Sequence, residues 1–406
     1  MIFPRLRVSG FPLHRSFVRA TTTLTLLLAA ACDNSVDPPP ANSVFLQVLG
    51  KGAVNERYTG EVWVRGNIAY TTTWGFRSQI GNAVKIWDLS GGAAPVLVDS
   101  LIVPDAVTLG DVQTSDDGTL LVVATEFQPG SIMIYDLADP IKPQLITRYT
   151  SPQTNPGVHT AEVQRVNGRL YAFLSVDPPA RLVIVDITDP AAPVEVFSAA
   201  MGQPFIHDVF VRDGILFTAL WNAGVSIWDI GGAGNGSVAA PRLISNVPTV
   251  GGQAHNVWWY HSSTGERRYA FVGEEDQGSV GSFASGDIHV VDVSNLAAPR
   301  EVAFYRLEGA GTHNFSIDET RGLLYAAYYN GGVRVLDVKG DLSSCTPAQK
   351  SPDGRCDLGL MGREVANGLS AEAPVYVWGV HFAAGKVYAS DMLNGLWALR
   401  EFNLPD

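Results

Sequence analysis

Four of the eight histidines in the 406-residue chain lie at the start of short runs that alternate apolar and polar residues. They occur in the segments VHTAEV, IHDVFV, AHNVWW and THNFSI, as His159, His207, His255 and His313. Neutral imidazole is a common ligand of Zn and Cu in proteins. If the fold brings the four runs together, these side chains could hold a divalent metal ion.

Polar residues adjoin the histidine position in six of seven comparable runs: Glu61, Asp111, Glu162, Asp208, Asn256 and Asn314. Trp378 takes the histidine position in the seventh run, and glycines take it in the first two. In the third run the alignment places Ala161 at the matched position, two residues after His159. A carboxylate such as Glu162 or Asp208 could orient a ligand or transfer a proton.

These runs belong to an internal repeat of the chain. The phrase RLVIVDITDPAAPVEV recurs as SIMIYDLADPIKPQLI and DIHVVDVSNLAAPREV, at intervals of roughly fifty residues. Each unit contains four alternating runs separated by Gly, Asp or Pro turns, which predicts four short strands. Four strands per unit, repeated in this way, are typical of a β-propeller.

The two ends of the chain predict how the ring closes. The seventh unit lacks a fourth strand after GLWALREF, whereas the first strand, SVFLQVLGKG (Ser43–Gly52), matches a fourth strand and has no unit of its own. If that strand completes the seventh blade, no open sheet edge remains. We therefore predict an all-β domain over residues 43–406: a seven-bladed propeller of four-stranded antiparallel blades, closed by the N-terminal strand.

The phrase LVIVDITDPAAP closely resembles the LVIVD repeat, which is found in extracytoplasmic bacterial and archaeal proteins and is taken to form a propeller. The resemblance is strongest in units two, three and five. It is weakest in unit seven, where Arg400 replaces the repeated Asp. This resemblance implies the fold and a location outside the cytoplasm, but it defines no biochemical role.

In a propeller, the first strand of each blade lines a central channel, so the matched positions should form a polar ring at one mouth of it. Two interpretations of that ring remain open. These side chains could have the same structural role in every unit, forming hydrogen bonds with buried polar groups of nearby loops. Alternatively, the ring could bind a ligand or metal, with Trp74, Trp221 and Trp378 near strand ends facing it.

The repeated Asp itself is expected to hold a turn, because its carboxylate can accept backbone N–H groups two or three residues later. The sequence lacks the H-E-x-x-H and EF-hand motifs, G-x-S-x-G and phosphate-binding glycine loops, so whether the protein is an enzyme stays open. A formal net charge of −12 and the absence of a Lys/Arg run argue against a nucleic-acid partner.

The N-terminal segment indicates export. Residues 1–31 have a basic start followed by LTLLLAAA, which is typical of a signal peptide and too short to cross a bilayer. Cleavage could follow the alanines, or LLLAAAC could act as a lipobox with Cys32 lipidated. The second alternative explains the odd cysteine, because Cys345 and Cys356 can pair in an oxidising compartment. Residues 32–42 would then form the lipidated Cys and a Pro-rich tether.

These observations predict an exported, membrane-anchored lipoprotein that faces the periplasm or the cell surface. Its propeller would act as a binding module for an envelope protein or a glycan. The alternative is a metal-dependent enzyme that uses the His and carboxylate ring at the channel mouth. The cofactor to which the sequence points in that case is a divalent metal, Zn or Cu.

Overall fold

The computed structural model describes residues 44–75, 80–201, 205–372 and 374–403. Within these ranges the protein is an all-β ring of seven antiparallel sheets, with a single short 3-10 helix at Pro347–Gln349. The expected signal peptide, Cys32 and the tether lie outside the described residues. In the part of the chain that is described, no helix is long and apolar enough to cross a membrane.

The first strand, β1 (Val44–Gly52), precedes blade one. Blade one contains β2 (Tyr58–Arg65), β3 (Ile68–Trp74), β4 (Ala83–Asp88) and β5 (Val96–Ile102). Blade two contains β6 (Thr108–Thr114), β7 (Leu120–Glu126), β8 (Ser131–Asp136) and β9 (Gln144–Tyr149). Blade three contains β10 (Val158–Val166), β11 (Arg169–Val176), β12 (Arg181–Asp186) and β13 (Val194–Ala200).

Blade four contains β14 (Asp208–Arg212), β15 (Ile215–Ala219), β16 (Val225–Asp229) and β17 (Arg242–Val247). Blade five contains β18 (Ala254–Trp259), β19 (Tyr269–Glu274), β20 (Ile288–Asp292) and β21 (Arg300–Tyr305). Blade six contains β22 (Phe315–Asp318), β23 (Leu323–Ala327), β24 (Val333–Asp337) and β26 (Glu364–Gly368). Blade seven contains β27 (Val377–Ala383), β28 (Lys386–Asp391) and β29 (Gly395–Asn403), and β1 is its outermost strand.

The predicted closure of the ring is confirmed, because β1 pairs antiparallel with β29 from Val44↔Asn403 to Gly52↔Leu396. The insertion before β26 adds a two-residue strand, β25 (Cys356–Asp357), parallel to the edge of blade five. The predicted pairing of Cys345 with Cys356 is also confirmed, and this disulfide ties the insertion together.

The apolar core is distributed between blades. In one cluster, Val122 and Ile134 of blade two pack against Ala172 and Val183 of blade three, and all four are fully buried. Comparable clusters lie between other neighbouring blades. Because the apolar faces are satisfied between sheets, the inner strands can present polar side chains to the axis.

The structural role predicted for the repeated Asp is confirmed. In each of six blades its carboxylate accepts the backbone N–H of the residue two positions later, as Asp186 does from Thr188 at 3.0 Å. Asp229 goes further and accepts four backbone N–H groups within the glycine-rich loop after β16. These carboxylates hold turns at the opposite end of the blades from the histidines.

Candidate site at the mouth of the central channel

The inner strands of all seven blades surround a cavity of about 440 Å³ on the axis. We call the face at which these strands begin the top face. Its loops connect each blade to the next and join the second strand of each blade to the third. Three sets of residues at matched positions lie at the mouth of the cavity.

The first set, the imidazole tier, consists of the residues just before or at the start of the inner strands: Gly60, Gly110, His159, His207, His255, His313 and Trp378. Consecutive ring centroids from His159 to Trp378 lie 4.1–4.2 Å apart. The predicted convergence of the four histidines is therefore confirmed. Strand pairing shifts register at His159, His255 and Trp378, and such bulges re-aim a side chain.

The sequence alignment of the third run was wrong by two residues. Thr160 pairs with Ser175 just as Asp208 pairs with Ala219, so His159 matches His207 directly. The position after the histidine is thus Thr160, and Glu162 lies two residues deeper in the channel. The error has a simple origin, because a shift of two residues leaves the alternation of a strand unchanged.

The second set, the acid tier, follows the imidazole tier into the cavity: Glu61, Asp111, Thr160, Asp208, Asn256, Asn314 and Gly379. Burial and then the neighbouring Asp111 raise the pKa of Glu61 well above its usual value. Burial likewise raises the pKa of Asp111 to about 6 and that of Asp208 to about 7. The deeper Glu162 is also shifted well upward, first by burial and then by Asp208.

Carboxylates with such raised pKa values are costly for the fold, and groups of this kind concentrate at functional sites. Asn314 compensates one of them by donating a 2.5 Å hydrogen bond to Oε1 of Glu61. Below this tier the cavity wall includes Trp63, Phe210 and Trp258. The cavity therefore combines acidic groups with aromatic surface.

The third set, of which the sequence analysis identified only Trp74 and Trp221, lies above the histidines at the top face. In each blade, one residue of the second strand pairs with the repeated Asp, or with Arg400 in blade seven, and the residue six positions later belongs to this set. The members are Trp74, Glu126, Asp177, Trp221, Glu275, Tyr329 and Met392. Counting from that partner residue would have found Glu126 and Glu275. Searching only the starts of the inner strands could not.

A continuous polar network joins the first and third sets. Nδ1 of His159 lies 2.8 Å from Oε1 of Glu126, and its Nε2 lies 3.1 Å from Nδ1 of His207. Nε2 of His207 lies 3.3 Å from Oε2 of Glu275, whose Oε1 accepts a 2.5 Å hydrogen bond from Tyr329. The histidines are thus connected to carboxylates outside the ring predicted from the sequence.

The remaining two histidines approach the same carboxylate. Nε2 of His255 lies 3.7 Å from Oε2 of Glu275, and Nε2 of His313 lies 4.0 Å from Oε1. Nδ1 of His313 donates a 2.7 Å hydrogen bond to the carbonyl oxygen of Trp378. Nδ1 of His255 is buried and has no hydrogen-bond partner among the described residues.

The charges in this network differ from residue to residue. Burial lowers the pKa of His207 and, more strongly, of His255 and His313, which favours neutral imidazoles. Burial would also lower the pKa of His159, but the adjacent Glu126 raises it to about 9. Burial would raise the pKa of Glu275, but His255, His207 and the Tyr329 hydroxyl lower it to about 2. The network therefore favours the ionised form of Glu275.

Aromatic side chains frame the mouth. Trp221 stacks on His207 with ring centroids 5.2 Å apart, and Trp74 lies 5.3 Å from Trp378. All three tryptophans that the sequence placed near strand ends therefore belong to the mouth of the channel. His381, three residues after Trp378, lines the cavity at the depth of Glu162, and burial lowers its pKa to about 4.

Comparison with known proteins agrees with the fold. The LVIVD repeat family matches residues 171–200 and 282–306, in blade three and blade five. No curated protein shows significant similarity to the chain. Among solved structures, the chain is similar to the β-propeller domain of Cps50 (Swd1) from Myceliophteria thermophila, at 12% identity and a TM-score of 0.57. That match covers 88% of this chain and 98% of the other.

The fold and the repeats together define a class: the protein is a seven-bladed β-propeller with LVIVD repeats. At 12% identity, the likeness to Cps50 concerns the fold alone. What the propeller does must therefore be argued from its channel, because one fold supports many functions.

Proposed function

We propose that this protein is an exported, lipid-anchored propeller that binds a small ligand in the mouth of its central channel. One observation carries the proposal. Inner strands from all seven blades enclose a cavity of about 440 Å³, a size suited to a small molecule. The wall is mostly preformed by strands, so binding would cost little ordering of the protein.

The electrostatics of the cavity support a binding role. Asp111 and Asp208 are partly exposed to the cavity, and desolvation raises their pKa values to about 6 and about 7. Such carboxylates weaken the fold unless a ligand compensates them. A larger partner, such as an envelope protein or a glycan, would meet the same top face, where Phe127, Phe205 and Phe283 are exposed.

A thermal unfolding screen tests this proposal. We expect at least one class among divalent metals, organic amines and soluble sugars to raise the Tm of the purified protein. The Asp111→Asn/Asp208→Asn variant should lose or weaken that response, whereas the exposed control Asp99→Asn should keep it. A wild-type protein that responds to none of these classes would contradict binding in the channel.

The anchor is tested separately. If Cys32 is lipidated, the wild-type protein should fractionate with membranes and incorporate a labelled fatty acid. The Cys32→Ser variant should lose the label and appear in the soluble fraction. A wild-type protein whose mature N-terminus follows an alanine, with Cys32 unmodified, would contradict lipidation and leave export through an ordinary signal peptide.

A metal-dependent enzyme is the second candidate, and a specific observation favours it. Ligand atoms of His207, His255 and Glu275 all lie within 4.8 Å of one another at the mouth of the cavity. A metal held there would face the carboxylates of the acid tier, which could bind or deprotonate a substrate. Metal-dependent turnover by the purified protein, lost in Glu275→Gln, would support this candidate.

A further inference from the structure

The spacing of the donors at the channel mouth is close to that of a coordination sphere. Around a tetrahedral Zn²⁺ with bonds of about 2.0–2.1 Å, neighbouring ligand atoms lie about 3.3 Å apart. Nε2 of His207 is already 3.3 Å from Oε2 of Glu275, and Nε2 of His255 is 3.7 Å from the same oxygen. All three ligand atoms lie within 4.8 Å of one another, so shifts of up to about 1.5 Å would bring them around one ion.

His255 supplies an independent indication of a missing partner. Its side chain is almost fully buried, at 3% exposure for the residue. Its Nδ1 has no hydrogen-bond partner among the described residues, and its Nε2 is too far from Glu275 for a hydrogen bond. Buried polar groups are normally satisfied. A cation on Nε2 would supply one of the two partners that this imidazole lacks among the described residues.

The neighbours of two of the three donors, His207 and Glu275, hold them in orientations that suit coordination. When Nε2 of His207 binds a cation, its Nδ1–H can donate to Nε2 of His159 only if His159 is neutral, with its own Nδ1–H on Glu126. The hydroxyl of Tyr329 occupies Oε1 of Glu275 and leaves Oε2 free. Hydrogen-bonded partners of this kind orient the ligands of metal sites.

From these contacts we infer that His207, His255 and Glu275 form a three-ligand centre for one Zn²⁺ or Cu²⁺ ion at the mouth of the channel. This inference rests on the proposed binding role of the channel mouth and names the ion that would bind there. His159, Glu126 and Tyr329 act as positioning residues. His313, held by the carbonyl of Trp378 with Nε2 4.0 Å from Glu275, stands next to the centre.

The donor set decides the class of metal. Two imidazoles and one carboxylate suit Zn or Cu, whereas Mg²⁺ and Ca²⁺ prefer oxygen ligands alone. Three protein ligands leave at least one coordination position open, which is the arrangement of catalytic rather than structural zinc sites. One of these histidines, His255, lines the cavity together with Asp111 and Asp208, so a ligand in the cavity could reach that position.

Metal titration of the EDTA-treated, dialysed protein tests the inference. Isothermal titration calorimetry should show one Zn²⁺ or Cu²⁺ per chain and no saturable heat with Mg²⁺ or Ca²⁺. Glu275→Gln, which keeps the size and the Tyr329 contact, should weaken binding at least 100-fold. Glu126→Gln should weaken it about 10- to 100-fold, as expected for a residue that positions a ligand.

Two further measurements keep the result interpretable. The variant His261→Gln changes a histidine outside the cavity and should bind the metal like the wild type. Circular dichroism and urea unfolding in EDTA establish that each variant is folded. Electron paramagnetic resonance of the Cu²⁺-loaded protein should show two imidazole nitrogens, and one in His255→Ala.

The inference is overturned if the folded wild type binds neither ion stoichiometrically, or if Glu275→Gln and His255→Ala bind it as tightly as the wild type. The broader proposal is tested separately. It stands without this metal centre if a small organic ligand stabilises the metal-free protein and that response needs Asp111 and Asp208, and it fails if no class of ligand stabilises the wild type.

Discussion

Removing one carboxylate from the acid tier should make the protein more stable, and the gain should depend on pH. Asp208 has a pKa raised from 3.8 to about 7 by burial and by Asp111. Because the folded pKa is above the unfolded value, ionisation of Asp208 costs stability. The cost is absent below about pH 4, grows between the two pKa values, and is complete above pH 7.

The magnitude follows from those two pKa values. Each pH unit between them is worth about 1.4 kcal/mol, so the full cost is about 4 kcal/mol if the carboxylate is entirely shielded from water. Asp208 is partly exposed to the cavity, and a cost of about 2 kcal/mol is therefore the reasonable expectation. Asp208→Asn removes the charge and keeps the oxygen that accepts the N–H of Val209.

Urea unfolding followed by tryptophan fluorescence at pH 4 and pH 8 measures the effect. Asp208→Asn should gain about 2 kcal/mol over the wild type at pH 8 and almost nothing at pH 4. Asp99→Asn is the matched control, because Asp99 also accepts the N–H of the next residue but lies on the exposed outer strand of blade one. A variant that loses stability at pH 8, or has the same effect at both pH values, would refute the reasoning.

Three further predictions concern stability away from the channel. Asp229→Asn should lower the free energy of unfolding by about 2–3 kcal/mol at pH 7, since four backbone N–H groups converge on its carboxylate, whose pKa is lowered to about 2. In the same assay, Asp136→Asn should cost under about 1 kcal/mol, because that exposed carboxylate accepts one such bond; equal losses would contradict the argument. His289 is fully buried between Glu301 and Glu274, and its pKa is raised from 6.5 to about 9 despite burial. Its contribution of about 3 kcal/mol should be complete below pH 6.5 and disappear as the pH rises through 9, so the stability gap between the wild type and His289→Gln should narrow from pH 6 to pH 10; a constant gap would be inconsistent with this. Joint replacement of Cys345 and Cys356 by Ser should lower stability by about 2–3 kcal/mol, the effect of opening a short loop, and a reductant should reproduce the loss in the wild type alone.

The fold was accessible from the sequence because its determinants are local and repeated. Alternating runs specify strands, and the Asp turn recurs in each of six blades. The unpaired first strand supplies the fourth strand that the seventh unit lacks. The same locality explains the error at His159. A shift of two residues leaves the alternation of a strand unchanged, so a comparison of patterns cannot detect it.

Only part of the candidate site could be predicted from the sequence, and the reason is different. His207 and His255 begin inner strands, and their positions could be matched by eye along the chain. Glu275 and Glu126 follow second strands and enter loops of unequal length, where no repeated phrase marks them. Their contact with the histidines depends on how the strands pair across the blade. Their matched positions become clear only when residues are counted from the one that pairs with the repeated Asp.

The pairing of β1 with β29 has a consequence for the order in which the site is built. Val44 is synthesised long before its partner Asn403. His207, His255 and Glu275 all belong to blades four and five, so they can meet as soon as those two neighbouring blades have folded. The acid tier draws on blades around the whole ring and exists only after closure. If the proposed metal centre forms, a partly folded chain could therefore take up the ion before the channel is closed.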